Sequence, residues 1–335
     1  MKLYIILTIF LTLGSALVPF FASVDLSDSK NRTTTHIQAQ VTDDTESETA
    51  TKPSESVASI KVLRTGSGKI IEKEIFDYVK GSVAAEMPPT YEREALKAQA
   101  VACYTYALWL KNNSNSSALG GADVSDSPAN YQGFLDDDEL QDKWGEKYDE
   151  YMSAVTDAVN AVAGEFLQYN SEPIMACYHA ISTGKTESAK NAWGTDVPYL
   201  QSVRADGDIL SPDIDSSVEI TDEQFKKCME NLEGADLSKN RKKWVGNCKT
   251  TKSGYVTIIK IGGKDFSGSD VRSAFALKSP AFTVKKTDKG FHFNVRGYGH
   301  LVGMSQYSAD YMARQGSGYK DILLHFFKGA KLVKP

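Results

Sequence analysis

The feature that most restricts the fold is a change of hydrophobic period at Gly164. Upstream, apolar residues recur every three to four positions: Ile75, Tyr78/Val79 and Val83, then Leu96, Ala100, Cys103, Ala107 and Leu110, then Tyr148, Met152, Val155, Val159 and Val162. That spacing predicts three amphipathic helices, over about 74–85, from Thr90 onward, and over about 146–163. Downstream the period shortens to two in EFLQYN, PIMACYHAIS, PYLQSVR, GYVTIIKIGG and PAFTVKK, and Gly290 opens a hairpin return FHFNVRG. VASIKVLR, before the helices, also alternates like a strand and ends in the turn Thr65-Gly66-Ser67-Gly68. Helices followed by short strands predict an α+β fold. Antiparallel sheet elements would pack beside a helical lobe of residues 74–163, with an active-site cleft between the lobe and the loops bearing His179 and His300. The polar stretch Lys111 to Asp138 reads as a long surface loop, residues 222–247 as a charged helical excursion, and Tyr319 to Phe327 as a last short helix.

Composition sets the boundaries of the folded region. Residues 4–21 are uncharged and apolar behind Lys2, long enough for a membrane anchor or a generous signal-peptide core. Large Phe20 and Phe21 stand where a signal peptidase prefers small side chains, which favours an uncleaved anchor over residues 1–24 and leaves a cleaved signal as the second reading. Residues 25–56 hold almost no large apolar side chain and predict a disordered linker. Residues 57–335 remain as the extracytoplasmic folded domain. With 41% hydrophobic residues in 335, the chain can build a substantial core. A net charge of −5 gives no support for a nucleic-acid partner. Cys228 and Cys248 are near enough in sequence to pair in an exported domain or to stay free thiols. Gly68-Lys69 is no phosphate loop, because Leu63 occupies the first glycine position and Ile70 the Ser/Thr position.

Local grammar singles out Glu86. Pro88 and Pro89 stop the first helix just after it, since proline lacks a donor and biases the preceding residue away from helical angles. A carboxylate at a helix C-terminus faces the negative end of the macrodipole. With partial burial, that raises its pKa towards the range of a general acid. Gln99 lies on the inner stripe of the next helix, within reach of the glutamate. The plain alternative is a solvated residue in an interhelical turn.

Other polar groups have competing readings. Cys177 and His179 share one strand face and suggest a metal pair or a thiol nucleophile with its base, but no CxxC, HExxH or second half accompanies them. His300 sits in the glycine-rich turn Gly297 to Gly303, where the backbone can approach a ligand, although a lone histidine is more often structural. Trp193, Tyr199, Tyr298 and Tyr307 are candidates for stacking on sugar rings or for the core.

The segments EMPPTYEREALKAQAV, YHAISTGKTE, WGTDVPYLQSV, VRSAFALKSPAF and GHLVGMSQYSADYMA occur in that order, and residues 57–335 resemble the stage II sporulation protein D family, which includes amidase enhancers of cell-wall autolysis. The resemblance implies a membrane-anchored lytic transglycosylase that cuts peptidoglycan glycan strands during forespore engulfment. Its catalytic glutamate falls on Glu86. The substrate would be lined by Gln99, Tyr104, His179, Ser182, Lys185, Thr186, Glu187, Tyr199, His300, Ser305 and Gln306, with Glu187 as a reserve second acid. The partners it implies are a sporulation amidase and membrane engulfment proteins. Many relatives carry Arg at Tyr104 and Lys at Gln201, and glycine at Leu301 and Ser308. The zinc-binding loop of some relatives corresponds to ALGGADVSDSPANYQ here, which has no Cys or His, so no metal and no cofactor are expected. The alternative is a non-catalytic wall-binding enhancer of an N-acetylmuramoyl-L-alanine amidase. A thiol hydrolase using Cys177 and His179 is a third reading without motif support.

Overall fold

A computed structural model describes residues 59–334 except 128–130, 231 and 239. The expected anchor, the linker and Val57-Ala58 lie outside the described residues. No helix among the described residues is long and apolar enough to cross a membrane. The fold is α+β.

Strands β1 (Ser59–Arg64) and β2 (Lys69–Glu74) form an antiparallel hairpin, which feeds directly into helix α1 (Ile75–Glu86). Helix α2 (Arg93–Asn113) is buried on nearly every face, as expected of a helix surrounded by others. It packs against α1, helix Gln306–Arg314 and helix Tyr319–Phe326. It begins at Arg93, later than Thr90, and Glu92 is its N-cap without a side-chain bond. The Glu92 N–H donates instead to Asp310 Oδ1 at 2.7 Å, so a carboxylate 218 residues away does the work of a local cap.

The stretch 111–138 is more than a surface loop. Within it β3 (Val124–Ser125) is buried and pairs in parallel with β1, so the sheet elements are not all antiparallel. Gln132 and Phe134 are buried, and Phe134 stacks on Tyr78 of α1 with ring centroids 5.3 Å apart. Arg64 ties the segment down, pairing with Asp126 at 3.2 Å and with Glu139 at 2.5 Å. The third helix comes in two pieces, α3 (Asp137–Trp144) and α4 (Tyr148–Ala161), because Asp136 and Glu139 form a capping box that starts a helix early.

Of the expected strands, PIMACYHAIS keeps the pair Tyr178–His179 as a strand, with Cys177 outside it, and PYLQSVR is irregular: Thr186 Oγ1 accepts the Val203 N–H at 2.9 Å. A strand over Asp215–Thr221 was not expected from its polar sequence. It edges a three-stranded antiparallel sheet with Gly290–Arg296 in the middle. That sheet and a second one share a separate aromatic core of Phe225, Trp244, Phe275, Phe291 and Phe293, with Phe225 and Phe291 centroids 4.3 Å apart. Among the described residues of 222–247 are the α-helix Asp222–Met229, the short 3-10 turn Arg241–Lys243 and the start of strand Val245–Thr250. Cys228 and Cys248 are free thiols. The chain returns to the main core where Ile181 and Tyr298 exchange backbone hydrogen bonds at 3.0 and 2.6 Å. Just beyond, Met304–Ser305 pairs in parallel with Tyr178–His179.

Segment 133–135 lies so close to α1 that a Cβ on Gly81 would stand 2.5 Å from the Leu135 carbonyl oxygen and 2.6 Å from the Phe134 ring. Gly81→Ala therefore destabilises the protein by about 1–3 kcal/mol, read as a lower urea midpoint, even though alanine is the better helix former.

Candidate active site

Glu86 is the last residue of α1, because Met87 turns to φ −121°, ψ 139° and two prolines follow. The residue as a whole is half-buried, and its carboxyl is desolvated. Oε1 accepts the N–H of Gly133 at 2.5 Å. A Cβ at Gly133 would stand 2.9 Å from that oxygen, so only glycine permits the approach. Lys143, in the last turn of α3, donates from Nζ to the carbonyls of Ala84 at 3.0 Å and Ala85 at 3.4 Å. Burial dominates the carboxyl and pushes its pKa up, and the Gly133 N–H and the Lys143 charge offset only part of this. A carboxyl in this setting keeps its proton to higher pH than a solvated glutamate.

Behind Glu86 runs a chain of buried hydrogen bonds. Gln306 Nε2 donates to the Glu86 carbonyl at 3.1 Å and to Gln99 Oε1 at 3.3 Å. Gln99 Nε2 reaches Cys103 Sγ at 3.3 Å, and the Cys103 thiol reaches the Tyr178 hydroxyl at 3.5 Å. Tyr178 donates to Gln132 Oε1 at 3.2 Å, and Gln132 Nε2 donates to the Tyr78 hydroxyl and the Cys103 carbonyl, both at 3.2 Å. Burial pushes the Cys103 thiol up to about 12, so it remains a donor. The structure thus brings Gln99 and Gln306 together at Glu86, and adds Gln132, Gly133, Lys143 and Tyr178, which sequence reasoning missed. The capping-box pair Asp136 and Glu139 marks α3 and so the basic residue in its last turn. Nothing local marks Gly133.

The histidines form a second group. Gly299 and Gly303, at φ 108° and 75°, let the turn press on the strand of His179. A Cβ would meet the His179 Cβ at 2.6 Å and the Cys177 carbonyl oxygen at 2.1 Å respectively. His179 Nδ1 donates to the Val302 carbonyl at 3.0 Å, and its buried Nε2 has no partner. His300 Nδ1 accepts the Val302 N–H at 3.1 Å, and its ring stands 5.7 Å from His179 and 5.6 Å from Trp193. Burial lowers both histidines, His179 to about 4, so both are neutral at physiological pH. Leu301 fills a left-handed position, φ 70°, with a fully buried side chain.

Several expected contacts are placed in the protein's interior instead. Tyr104 is 5% exposed, with its ring packed against Phe76 at 5.4 Å and Phe166 at 6.5 Å, so it is a core residue and not a substrate contact. Glu187 is 1% exposed and accepts from Ser188 N–H, Asn191, Thr251 and Ser253 at 2.5–2.9 Å. Burial alone would raise its pKa, but these donors together lower it, so it is a held carboxylate rather than a reserve acid. Ser182 and Ser305 both bind Asp208, through the Ser182 N–H at 2.7 Å and the Ser305 hydroxyl at 2.7 Å. Asp208 is fully buried, and no local sequence pattern marks it. Thr186 is buried on Val203, and the Tyr199 hydroxyl accepts the Met175 N–H at 3.2 Å. Lys185 is half-buried in a backbone bridge with Arg204. The Cys177 thiol, pushed up by burial, is no nucleophile. Among the described residues no group of three or more His, Cys, Asp or Glu is placed to hold a metal.

The family model described as Stage II sporulation protein matches residues 64–169, which span α1, α2, β3, α3 and α4. Stage II sporulation protein D of Bacillus subtilis (strain 168) is 35% identical over 280 residues, covering 83% of this chain and 79% of the relative. Its namesake from Bacillus amyloliquefaciens is 33% identical over the same shares. The amidase enhancer of Bacillus subtilis (strain 168) is 27% identical, covering 76% of this chain and 40% of that protein.

The neutral His179 makes a prediction about acid stability. Its folded pKa, about 4, lies below the unfolded value near 6.5. The unfolded chain therefore binds the proton first, and stability present above about pH 6.5 is lost as pH falls towards 4. Urea midpoints at pH 7.5 and 4.5 should show His179→Gln removing roughly 2–3 kcal/mol of the wild-type loss.

Proposed function

The chain belongs to the stage II sporulation protein D family, and on that premise we propose that it is a peptidoglycan lytic transglycosylase acting through Glu86 in septal wall remodelling during sporulation. The observation that carries the reading is the Glu86 carboxyl itself: desolvated, raised in pKa, and fixed by the Gly133 N–H. Such a group keeps its proton to higher pH than a solvated glutamate and can place it on a glycosidic oxygen. As the proton moves, the C1–O bond of the muramic residue breaks and Glu86 is left as a carboxylate. The muramic C6 hydroxyl then attacks C1 and returns its proton to Glu86, closing a 1,6-anhydro ring. The nucleophile comes with the substrate, so no second catalytic carboxylate of the hydrolase kind is needed. Glu187, saturated by its own donors, fits that economy.

In this proposal the region from residue 57 onward works outside the membrane, held by residues 4–21, and meets a sporulation amidase and membrane engulfment proteins. One observation favours a second reading, an amidase-enhancing wall binder: Tyr104 is a core ring and Gln201 is tied to Val197 at 2.9 Å, so neither position offers a cation to the substrate.

The full-length protein in detergent micelles is incubated with denuded glycan strands, and the products are read by mass spectrometry. Wild type should release anhydro-muramyl ends, and Glu86→Gln should lower release by roughly a hundredfold or more while still co-sedimenting with strands. Binding without anhydro products from wild type decides for the enhancer.

A further inference from the structure

We infer that Lys143 is a positioning residue of this site, its ammonium holding the end of α1 and supplying the counter-charge for the carboxylate that Glu86 becomes. The inference rests on the transglycosylase reading for its chemical meaning and on geometry for its existence. The carbonyls of Ala84 and Ala85 belong to the last turn of α1, and Pro88 and Pro89, just beyond, have no N–H to offer them. Lys143 meets both, at 3.0 and 3.4 Å, from the last turn of α3. These two carbonyls immediately precede Glu86, so the bonds fix the backbone that carries the acid.

The ammonium also acts by charge. The other titratable groups that feel Glu86 are Tyr78 on its own helix, Cys103 and Tyr106 on α2, and Tyr178 on the strand beside Met304–Ser305. Each is a phenol or thiol pushed up by burial and so neutral. Lys143 is the cation of this set, itself partly desolvated and supported by the Glu86 charge. Its Nζ stands 5.9 Å from the Trp144 ring centroid, which further favours a cation there. When the proton leaves Glu86 for the glycosidic oxygen, the new negative charge forms within the field of this ammonium, which sits on the carbonyls of the two preceding residues. It persists until the C6 hydroxyl returns a proton.

The test separates charge from hydrogen bonding. Lys143→Gln keeps N–H donors for the carbonyls and removes the charge, whereas Lys143→Arg keeps both. In the full-length protein with 13C-labelled glutamate, the Glu86 carboxyl is assigned by its absence from Glu86→Gln and titrated by NMR. Its midpoint should rise by about one pH unit in Lys143→Gln and stay near wild type in Lys143→Arg. The alkaline limb of anhydro-product release should move up by the same amount, with release at the optimum falling about tenfold. An unchanged carboxyl midpoint in Lys143→Gln overturns the inference. If that variant does not fold, Lys143→Met is titrated and judged by the same shift. Should wild type release no anhydro product at any pH, the proposed function fails, and the titration still decides whether Lys143 and Glu86 are coupled.

Discussion

Everything around Glu86 depends on the closeness of two backbones, that of α1 and that of segment 131–136. Gly81 lets the segment lie on the middle of the helix, and Gly133 lets it reach the carboxyl at the helix end. Phe134 and Tyr78 stack between those two points, and Arg64 clamps the flank through Asp126 and Glu139. The result is a carboxyl removed from water but granted a single backbone donor. One donor is too few to stabilise the charged form fully, and that is why burial prevails over the hydrogen bond in setting its pKa. Glu187 is the contrast within the same chain. Buried as well, it receives donors from four residues, and there the hydrogen bonds prevail. Two glutamates of one sequence are thus driven in opposite directions by the number of donors each is given.

The buried amide, thiol and phenol chain behind Glu86 explains how residues distant in sequence hold one geometry. Gln306 touches both Glu86 and Gln99, and Ser305 beside it is bound to Asp208. The parallel pairing of Met304–Ser305 with Tyr178–His179 fixes Tyr178 in the same arrangement. Polar groups in such a network are costly if any partner is lost, so each rigidifies the next. The aromatic lobe between Asp215 and Arg296 has its own core and rejoins this frame at Ile181 and Tyr298. Ser253 and Thr251 of that lobe supply half of the side chains and backbone groups that hold Glu187, so the held carboxylate is also a tie between the two cores.

What the sequence made legible was whatever its period and punctuation encode. α1 ends at Glu86, where the two prolines demand it, and Gly290 to Arg296 pairs as the alternating residues suggest. Gln99 on the inner stripe of α2 needed only helical geometry. The losses share one cause, which is backbone or long-range pairing that no local pattern records. Gly133 acts through its N–H and through the absence of a side chain. Thr90 looks like a cap, but Asp310 satisfies the helix start from across the fold. Nothing local in the sequence tells whether Tyr104 faces substrate or core, and the packing of Phe76 and Phe166 turns it inward.

His179 follows from the same physics. Its Nδ1–H is fixed on the Val302 carbonyl, which sets the tautomer and leaves Nε2 as an acceptor with a lone pair. The glycine turn is pressed against its Cβ, where a side chain on Gly299 would stand 2.6 Å away. An imidazole so placed is held neutral, because protonating Nε2 would bury a charge with no partner beside an already enclosed His300. It is therefore an acceptor at every physiological pH. Glu86, with burial and a single backbone donor, is instead the carboxyl whose proton is held to higher pH than in water.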